Sequence, residues 1–305
     1  MKKLCLVVLA TFALTLTSSR TRAADLYVAY GTTGLSKVTA GGVVSTFATL
    51  PANSAPGSII FDRSATNLYV VPDGTLSPQP IYSFTLGGVR STFANLGNGT
   101  QPFGAAFDGA GNFYTDDING NILRITPAGV VSTFATITGG TPNLLGMTFD
   151  SLGNLYVVNQ NSSATQFIQR ITGAGVVTTF ATLTGTPNIS DIAFYNGNLY
   201  VAEQTTAIVD RFTLAGVRST YTTITGKAPI AIEFDTNGDL YTGNADGTIS
   251  KYTVGGVLST FATGFAGGVN GLAFATAVPE PSTWALAAGG AVLLLAVRLR
   301  RARRA

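Results

Sequence analysis

The chain has 305 residues, of which 46% are hydrophobic and 11% are charged, and it contains one Cys and no His. This composition excludes Ser-His-Asp and Cys-His nucleophiles, His-ligated zinc and thiolate metal sites. Half of the eighteen basic residues lie at the two ends, so segment 25–276 has nine basic against fourteen acidic residues and a net charge of −5, which makes nucleic acid a poor partner.

The N-terminal segment 1–24 is typical of a secretory signal peptide, which signal peptidase would remove. Two lysines precede an apolar run from Leu4 to Leu16, and small residues then lead to a cleavage position after Ala23 or, alternatively, after Ala24. The apolar run is shorter than the roughly 20 residues that span a membrane, which favours a cleaved signal over an anchor. Cleavage also removes the single cysteine, so the mature chain has no disulfide.

A ten-residue motif, first seen as Gly-Gly-Val-Val-Ser-Thr-Phe-Ala-Thr-Leu at 41–50, occurs six times. Its second glycine recurs at intervals of 40 to 46 residues, at Gly42, Gly88, Gly129, Gly175, Gly216 and Gly256. Each unit also contains an apolar run ending in Phe, a turn, a short run ending in Tyr, and a strand of alternating apolar and polar residues. Four strands in each of six units predict an all-β fold, a six-bladed β-propeller over 25–276.

The phase of the repeat predicts how the ring closes. The body begins at the second strand of a unit, at 25–28, and ends on a lone first strand at 270–274. The last strand can therefore complete the first blade, which removes the open edge that a ring would otherwise leave.

The repeated residues themselves are expected to be structural. The Asp residues after the first strand can accept backbone N–H bonds in tight turns, and the Tyr and Phe columns are expected to pack between blades. The Asp column consists of Asp62, Asp108, Asp150 and Asp235. The basic residues of the third strand, Lys37, Arg124, Arg170, Arg211 and Lys251, are expected on a solvated outer sheet.

Binding or catalysis is expected where the repeats differ at a shared position. The third residue after the second-strand Tyr opens a loop on one rim of the central channel, and four adjacent blades carry oxygen donors there: Asp117, Asn159, Glu203 and Asn244. Two carboxylates and two amides suit Ca²⁺ or another divalent ion. Such an ion would polarise a carbonyl and lower the pKa of a bound water. The alternative is that these are ordinary polar loop residues.

Two further acids, Asp191 and Glu233, stand in first strands where the other units mostly have small or apolar residues. A carboxylate on the channel side of such a strand could be a general base with a raised pKa. The alternative is a carboxylate in a salt bridge or on an exposed wall.

The units resemble the NHL and SMP-30 group of propellers through the Phe-Asp-x-x-Gly-Asn-Leu-Tyr core, as at 149–156, and the Ile-x-Arg-x-Thr strand, as at 168–172. The stretch 124–129 is similar to the streptogramin-lyase-like propellers. The SMP-30 resemblance implies a divalent metal held in the channel by Glu, Asn and Asp, with an acidic residue that assists lactone hydrolysis. The lyase members use histidines, which this chain lacks.

The C-terminal segment 277–305 contains Pro279, Glu280 and Pro281, then an apolar stretch from Trp284 to Val297 and an Arg-rich end. This order predicts a short transmembrane anchor with its arginines in the cytoplasm and the body outside. The segment resembles the PEP-CTERM sorting signal. The resemblance implies an exported protein of a Gram-negative bacterium that makes exopolysaccharide, cut near Pro-Glu-Pro by an exosortase-type enzyme after transient anchoring in the inner membrane.

The sequence therefore favours a non-enzymatic binding module of the cell surface or extracellular matrix, with a polysaccharide or a surface protein as its partner. The alternative is a divalent-metal-dependent lactonase or hydrolase of the SMP-30 kind, with its site in the central channel.

Overall fold

The computed structural model describes residues 24–275, apart from 75, 140–141, 162–164 and 186. The predicted signal peptide, including Ala23, and the predicted sorting segment, including Pro279, Glu280 and Pro281, lie outside the described residues. Ala24, the first described residue, packs against the core between the first and last blades. None of the helices within the described ranges has the length and hydropathy needed to cross a membrane.

The described chain forms 24 strands in six four-stranded antiparallel sheets, which confirms the predicted six-bladed propeller with four-stranded blades. Blade I contains β24 (Val269–Phe274), β1 (Leu26–Tyr30), β2 (Gly34–Val38) and β3 (Val44–Thr49). Blade II contains β4 (Pro56–Phe61), β5 (Asn67–Pro72), β6 (Gln79–Thr85) and β7 (Arg90–Leu96). Blade III contains β8 (Ala106–Phe107), β9 (Phe113–Asp116), β10 (Asn121–Ile125) and β11 (Val131–Thr136).

The remaining three blades have the same order of strands. Blade IV contains β12 (Leu144–Phe149), β13 (Leu155–Asn159), β14 (Thr165–Ile171) and β15 (Val177–Thr184). Blade V contains β16 (Ile189–Tyr195), β17 (Asn198–Glu203), β18 (Ile208–Thr213) and β19 (Arg218–Thr223). Blade VI contains β20 (Pro229–Phe234), β21 (Leu240–Asn244), β22 (Ile249–Tyr252) and β23 (Leu258–Ala262).

Blade I is completed by the two ends of the chain, as the repeat phase predicted. The C-terminal strand β24 pairs antiparallel with β1, with Leu26 opposite Phe274 and Val28 opposite Leu272. The ring is thus closed by a strand far away in sequence, and β1 has a partner strand on both sides.

The strand register defines two ends of the propeller. In blade I, Phe274, Leu26, Val38 and Val44 lie side by side across the four strands, at the edge where the innermost strand ends and the outermost strand begins. The corresponding row is present in every blade. We call this end the base. The loops between second and third strands and the connections between blades lie at the opposite end, which we call the mouth.

The core lies between neighbouring blades, where the repeated aromatic residues pack as predicted. Tyr114 of blade III meets Phe149 of blade IV edge to face, with ring centroids 5.1 Å apart. Tyr241 and Phe274 make the same contact between blades VI and I at 5.0 Å. The repeated Asp residues also have the predicted turn role, since Asp108 accepts hydrogen bonds from two backbone N–H groups of its turn, both at 2.9 Å.

The basic third-strand column differs in part from the prediction of a solvated sheet. Arg211 is exposed, but Arg124 and Arg170 are half-buried opposite the Tyr residues of the adjacent strand, and Lys251 forms an ion pair of 2.8 Å with Asp239. The third strand is an interior strand of its blade, so its long side chains cover the aromatic residues and only their ends reach water.

Candidate functional site

The innermost strands of the blades line a narrow central channel. Neighbouring blades approach each other closely at glycines, where any side chain would clash. A Cβ added to Gly146 would lie 2.1 Å from Asp191 Oδ1, and one added to Gly104 would lie 2.3 Å from the carbonyl oxygen of Leu145. A cavity of about 110 Å³ remains inside the channel, and both Asp191 and Glu233 line it.

Asp191 links two blades from within the channel. Its Oδ1 accepts a hydrogen bond from the N–H of Ile192 and its Oδ2 accepts one from the N–H of Ile232 on the next blade, both at 2.8 Å. Burial raises the pKa of the Asp191 carboxyl to about 7, although these two hydrogen bonds oppose the shift. Asp191 therefore keeps its proton to a higher pH than an exposed Asp does.

Glu233 lies on the neighbouring strand β20. Its Oε1 accepts a hydrogen bond of 3.1 Å from the N–H of Phe234. Burial raises the pKa of Glu233 to about 8, and the charge of Asp191 adds to this shift. Both side chains are surrounded by protein yet border the channel cavity. The structure thus brings the two acids together in one cavity. Their role in catalysis stays a prediction.

The mouth of the channel opens into a cavity of about 320 Å³ that is bordered by amide side chains. Four amides form a hydrogen-bonded chain along the rim of blades IV and V, in the order Asn143, Gln160, Asn188, Gln204. Asn143 donates to Gln160 Oε1 at 3.0 Å, Gln160 donates to Asn188 Oδ1, and Asn188 donates to Gln204 Oε1 at 2.7 Å. We call this set the amide chain. These hydrogen bonds fix the positions of the four side chains without a ligand.

The opposite side of the mouth is acidic and aromatic. Phe103 borders the channel cavity, the mouth cavity and a third cavity of about 200 Å³ that Asp73 and Asp116 also line. Asp73 lies at the rim, and partial burial of its carboxyl raises its pKa to about 6. Asp116 is buried, which raises its pKa to about 8.

Asp116 also shapes blade III. Its Oδ1 accepts hydrogen bonds from the N–H groups of Phe103 and Gly104, at 3.1 and 2.7 Å. These bonds take the place of strand pairing, because β8 in this blade has two residues whereas the innermost strands of the other blades have six or seven. The carboxyl of Asp116 therefore holds Phe103 at the mouth.

Replacing Asp116 with Ala should lower the free energy of unfolding by about 2–4 kcal/mol, because two buried N–H groups lose their acceptor. Asp116→Asn is the matched control, since a single amide oxygen can accept both hydrogen bonds; we expect its stability to stay within about 1 kcal/mol of the parent. Urea denaturation at pH 6 would measure both. Equal losses in the two variants would contradict this account.

The four predicted metal ligands lie at the ends of their second strands and bond within their own blades. Asp117 accepts two backbone N–H bonds of 2.9 Å through Oδ1 and the amide of Asn121 through Oδ2. Asn159 Oδ1 accepts the N–H of Asn143 at 3.2 Å, and Asn244 bonds Thr and Ser hydroxyls.

Glu203 has a positive charge beside it already. Its Oε1 lies 2.6 Å from Arg218 Nη2, and Arg218 also pairs with buried Asp210. Within the residues that the structure describes, no group of three or more Asp, Glu, His or Cys side chains is placed to hold a metal ion. As arranged, these donor atoms do not fit a cation, because their oxygens are committed to N–H groups, hydroxyls and a guanidinium. The metal site stays a prediction.

Three residues that border the mouth cavity, Asp73, Gln160 and Gln204, lie one position further along the same loops. In the other blades that position holds Gly31, Ile118 and Ala245. Successive side chains of a strand point to opposite faces. The predicted ligand therefore bonds within its blade, while the residue after it faces the cavity. Asp116 could also have been found from the sequence, because it is the only charged residue at its position in the repeat. The equivalent residues of the other blades are Ala29, Val71, Val158, Ala202 and Gly243.

Residues 115–263, slightly less than half of the chain, match the family described as a repeat of unknown function, DUF6923. No curated protein matches the sequence. Solved structures share the fold at low identity. A chain from the nidogen/laminin complex is 17% identical with a TM-score of 0.69, over 83% of this chain and 98% of that one.

Two enzyme-related or metal-related propellers are also similar in fold. A catalytically inactive His-to-Ala variant of virginiamycin B lyase from Staphylococcus aureus, with quinupristin, is 18% identical with a TM-score of 0.60, over 80% of this chain and 86% of that one. Regucalcin from Agrobacterium tumefaciens, a calcium-binding protein, is 12% identical with a TM-score of 0.54, over 67% of this chain and 72% of that one. These likenesses agree with the fold that the sheet order shows, a six-bladed β-propeller. The amide-lined mouth is described from this chain alone.

Proposed function

We propose that the protein is an exported, non-enzymatic binding module of the cell surface, and that its mouth binds a neutral ligand rich in hydroxyl groups, such as the end of a polysaccharide chain. The amide chain at the 320 Å³ mouth cavity is the observation that carries this proposal. The address is supported by the signal-like and sorting-like segments of the sequence.

The chemistry of the mouth favours such a ligand. Each amide offers both donors and an acceptor, which matches a hydroxyl group, itself both donor and acceptor. Phe103 adds an apolar surface beside these groups, and pockets for small ligands combine apolar walls with a few oriented polar groups. Among the described residues that line the mouth cavity none is basic, and Asp73 is acidic, so an anionic ligand is disfavoured.

One of the chains similar in fold belongs to the nidogen/laminin complex, an assembly of two proteins, which is in line with a binding role for this chain. A lyase activity is not proposed. The inactive virginiamycin B lyase is a His-to-Ala variant, and this chain has no His.

The Gln204→Ala variant should bind its ligand roughly tenfold more weakly, because the loss of an oriented amide removes about 1.4 kcal/mol of hydrogen bonding and leaves Asn188 without its acceptor. The probe is an array of neutral oligosaccharides, followed by calorimetric titration of those retained. Asn198→Ala is the matched control, an amide of the same blade whose bond to the carbonyl oxygen of Asn196 lies at the base. Binding by the control and not by Gln204→Ala supports the proposal, whereas unaltered binding by both overturns the mouth as the site.

The alternative function is a divalent-metal-dependent lactonase with its site in the channel, and the Asp191 and Glu233 pair is the observation that favours it. In that case millimolar Ca²⁺ should raise the thermal midpoint of the purified protein, and a chelator should reverse the rise. A free Ca²⁺ concentration of 100 times the dissociation constant adds about 2.7 kcal/mol to the free energy of unfolding. Glu203 would have to exchange Arg218 for the ion to take part, and Glu203→Ala should then abolish the shift. Lactone turnover lost in Glu233→Gln would establish the enzyme and overturn the binding module, while an absent shift would count against the metal.

A further inference from the structure

The exposed apolar residues are gathered at one end of the propeller. Twelve large hydrophobic side chains are exposed in the described residues, and eleven of them lie at the base. They are Val43, Val44, Leu86, Val89, Val130, Leu152, Val176, Val217, Val254, Val257 and Leu258. The single exception, Ile118, lies in a loop at the mouth.

Six of these residues form a ring with one member in each blade: Val43, Val89, Val130, Val176, Val217 and Val257. We call them the ring valines. Each follows a glycine with φ between 80° and 84° in the hairpin before the outermost strand, and each side chain is 57–66% exposed. Because the strand register is the same in every blade, all six lie at the same end.

The hairpin itself does not require an apolar residue at this position. In blade I the turn is held by the N–H of Thr39 bonded to the carbonyl of Val43 at 3.0 Å, and by the N–H of Val43 bonded to Thr39 Oγ1 at 3.2 Å. Only the backbone of the valine takes part. The exposed valine side chains take no part in these hydrogen bonds. Apolar residues concentrated at one end of a protein, unlike singly scattered ones, mark an interaction site.

The basic residues are distributed with the same asymmetry. Eight of the nine basic residues of 24–275 lie at or next to the base row, against seven carboxylates there. One of the eight, Arg218, extends its guanidinium to Glu203 and Asp210. The ninth, Lys227, lies at the mouth, where it pairs with Asp246 at 2.5 Å. The mouth carries Asp73, Asp116, Asp117, Glu203 and Asp246. Glu203 and Asp246 pair with Arg218 and Lys227, so the seven basic residues of 24–275 outside these two pairs all lie at the base.

The chain also leaves the propeller at the base. Phe274 lies in the base row, and the N–H of Ala275 bonds the carbonyl of Asp25 at 3.4 Å. The apolar stretch of the sequence begins nine residues later, at Trp284. Nine extended residues reach at most about 30 Å, so a membrane that takes up this stretch lies within about that distance of the base.

We propose that the base docks on a lipid bilayer, with the ring valines at the interface and the mouth facing away from the membrane. This inference rests on the proposed surface address, since it takes the C-terminal stretch to enter the bilayer. Apolar side chains among basic residues are the composition of surfaces that bind anionic membrane interfaces. Docking in this sense would present the amide chain to ligands outside the cell.

The test places one environment-sensitive fluorophore on the full chain by Val130→Cys or, as the matched control, by Ile118→Cys, each with Cys5→Ser. Both positions are in blade III with similar exposure, 62% and 55%, but at opposite ends. The probe membrane is a vesicle of equal parts phosphatidylethanolamine and phosphatidylglycerol. We expect a blue-shifted emission and a severalfold lower quenching by aqueous iodide for the Val130 label, and no change for the Ile118 label.

Replacing five ring valines with Ser, with the label retained at position 130, should restore quenching while the protein still floats with the vesicles. Equal quenching of the two labels on floating protein overturns docking and leaves the anchor intact. Shielding of the Val130 label without vesicles, in proportion to protein concentration, assigns the base to a second copy and overturns the lipid partner. Failure to float overturns both docking and the surface address, whereas ligand binding at the mouth is measured independently.

Discussion

A chain that ends after Gly268 should fail to fold, whereas a chain that ends after Ala275 should fold as the full propeller. The shorter chain lacks β24, the strand that completes blade I and joins it to the neighbouring blades. Val269, Leu272 and Phe274 on this strand are buried in the core between blades VI and I. Their removal exposes that core and leaves β1 with an unpaired edge.

The magnitude supports a complete loss of folding. Truncating one buried Leu, Met or Phe side chain in a core costs about 2–5 kcal/mol, and three large side chains are lost here together with a strand of hydrogen bonds. The sum exceeds or matches the about 5–15 kcal/mol that stabilises a typical domain. Strand β24 also supplies Asn270, whose amide bonds the carbonyl of Pro56 on blade II at 3.1 Å, so the ring opens on both sides of the missing strand.

Circular dichroism and size-exclusion chromatography of the two truncated chains would measure this directly. Leu272→Ala is an intermediate variant that keeps the strand, and we expect it to lose about 2–5 kcal/mol while remaining folded. A cooperative, monomeric chain ending at residue 268 would show that the ring does not depend on closure.

The protein should be more stable at pH 5 than at pH 8, and its stability should decline continuously between these values. Asp116, Asp191 and Glu233 have pKa values of about 8, 7 and 8 because burial penalises their charged forms. The ordinary values are 3.8 for Asp and 4.5 for Glu. Between those limits the folded chain retains protons that the unfolded chain has released.

The sign follows from proton linkage. A carboxyl whose pKa is raised by folding contributes its stability below the unfolded pKa and loses it as the pH rises through the folded pKa. Each such group adds a negative slope of up to about 1.4 kcal/mol per pH unit in this window. Carboxyls with lowered pKa values, among them Asp62, Asp108 and Asp246, act in the opposite sense below about pH 4, so the maximum should lie at mildly acidic pH.

Glu233→Gln isolates one contributor. The amide can still accept the hydrogen bond from the N–H of Phe234, but it does not titrate. We expect the stability of this variant to equal that of the parent at pH 5 and to exceed it at pH 8. Urea unfolding at several pH values, followed by circular dichroism, would show a shallower slope for the variant. Asp246→Asn at the exposed mouth is the control and should leave the slope unchanged; a parent whose stability is flat from pH 5 to 8 would contradict the proposed burial.

The repeat pattern was sufficient to predict the fold and its closure. Alternation with period two, the Phe-Asp turn and the six copies of the outer strand act between neighbours in the chain, so they can be recognised without coordinates. The start at a second strand and the end on a first strand likewise predicted that the last strand completes the first blade, as the pairing of β24 with β1 confirms. The same comparison of repeats identifies Asp191 and Glu233 as unusual from the sequence alone.

The composition of the mouth was decided by the tertiary structure. Asn143 and Asn188 lie in connections between blades, and their partners Gln160 and Gln204 lie in loops about sixteen residues away, so no local pattern joins them. Irregular strand pairing changes the direction of side chains near the mouth. One example is the register shift between Ile189 and Asp191 on strand β16. The sequence by itself determined which strands form and how the ring closes, because those interactions repeat along the chain. Which side chains meet around the channel depended on the bend of each strand end and the packing of six blades around one axis.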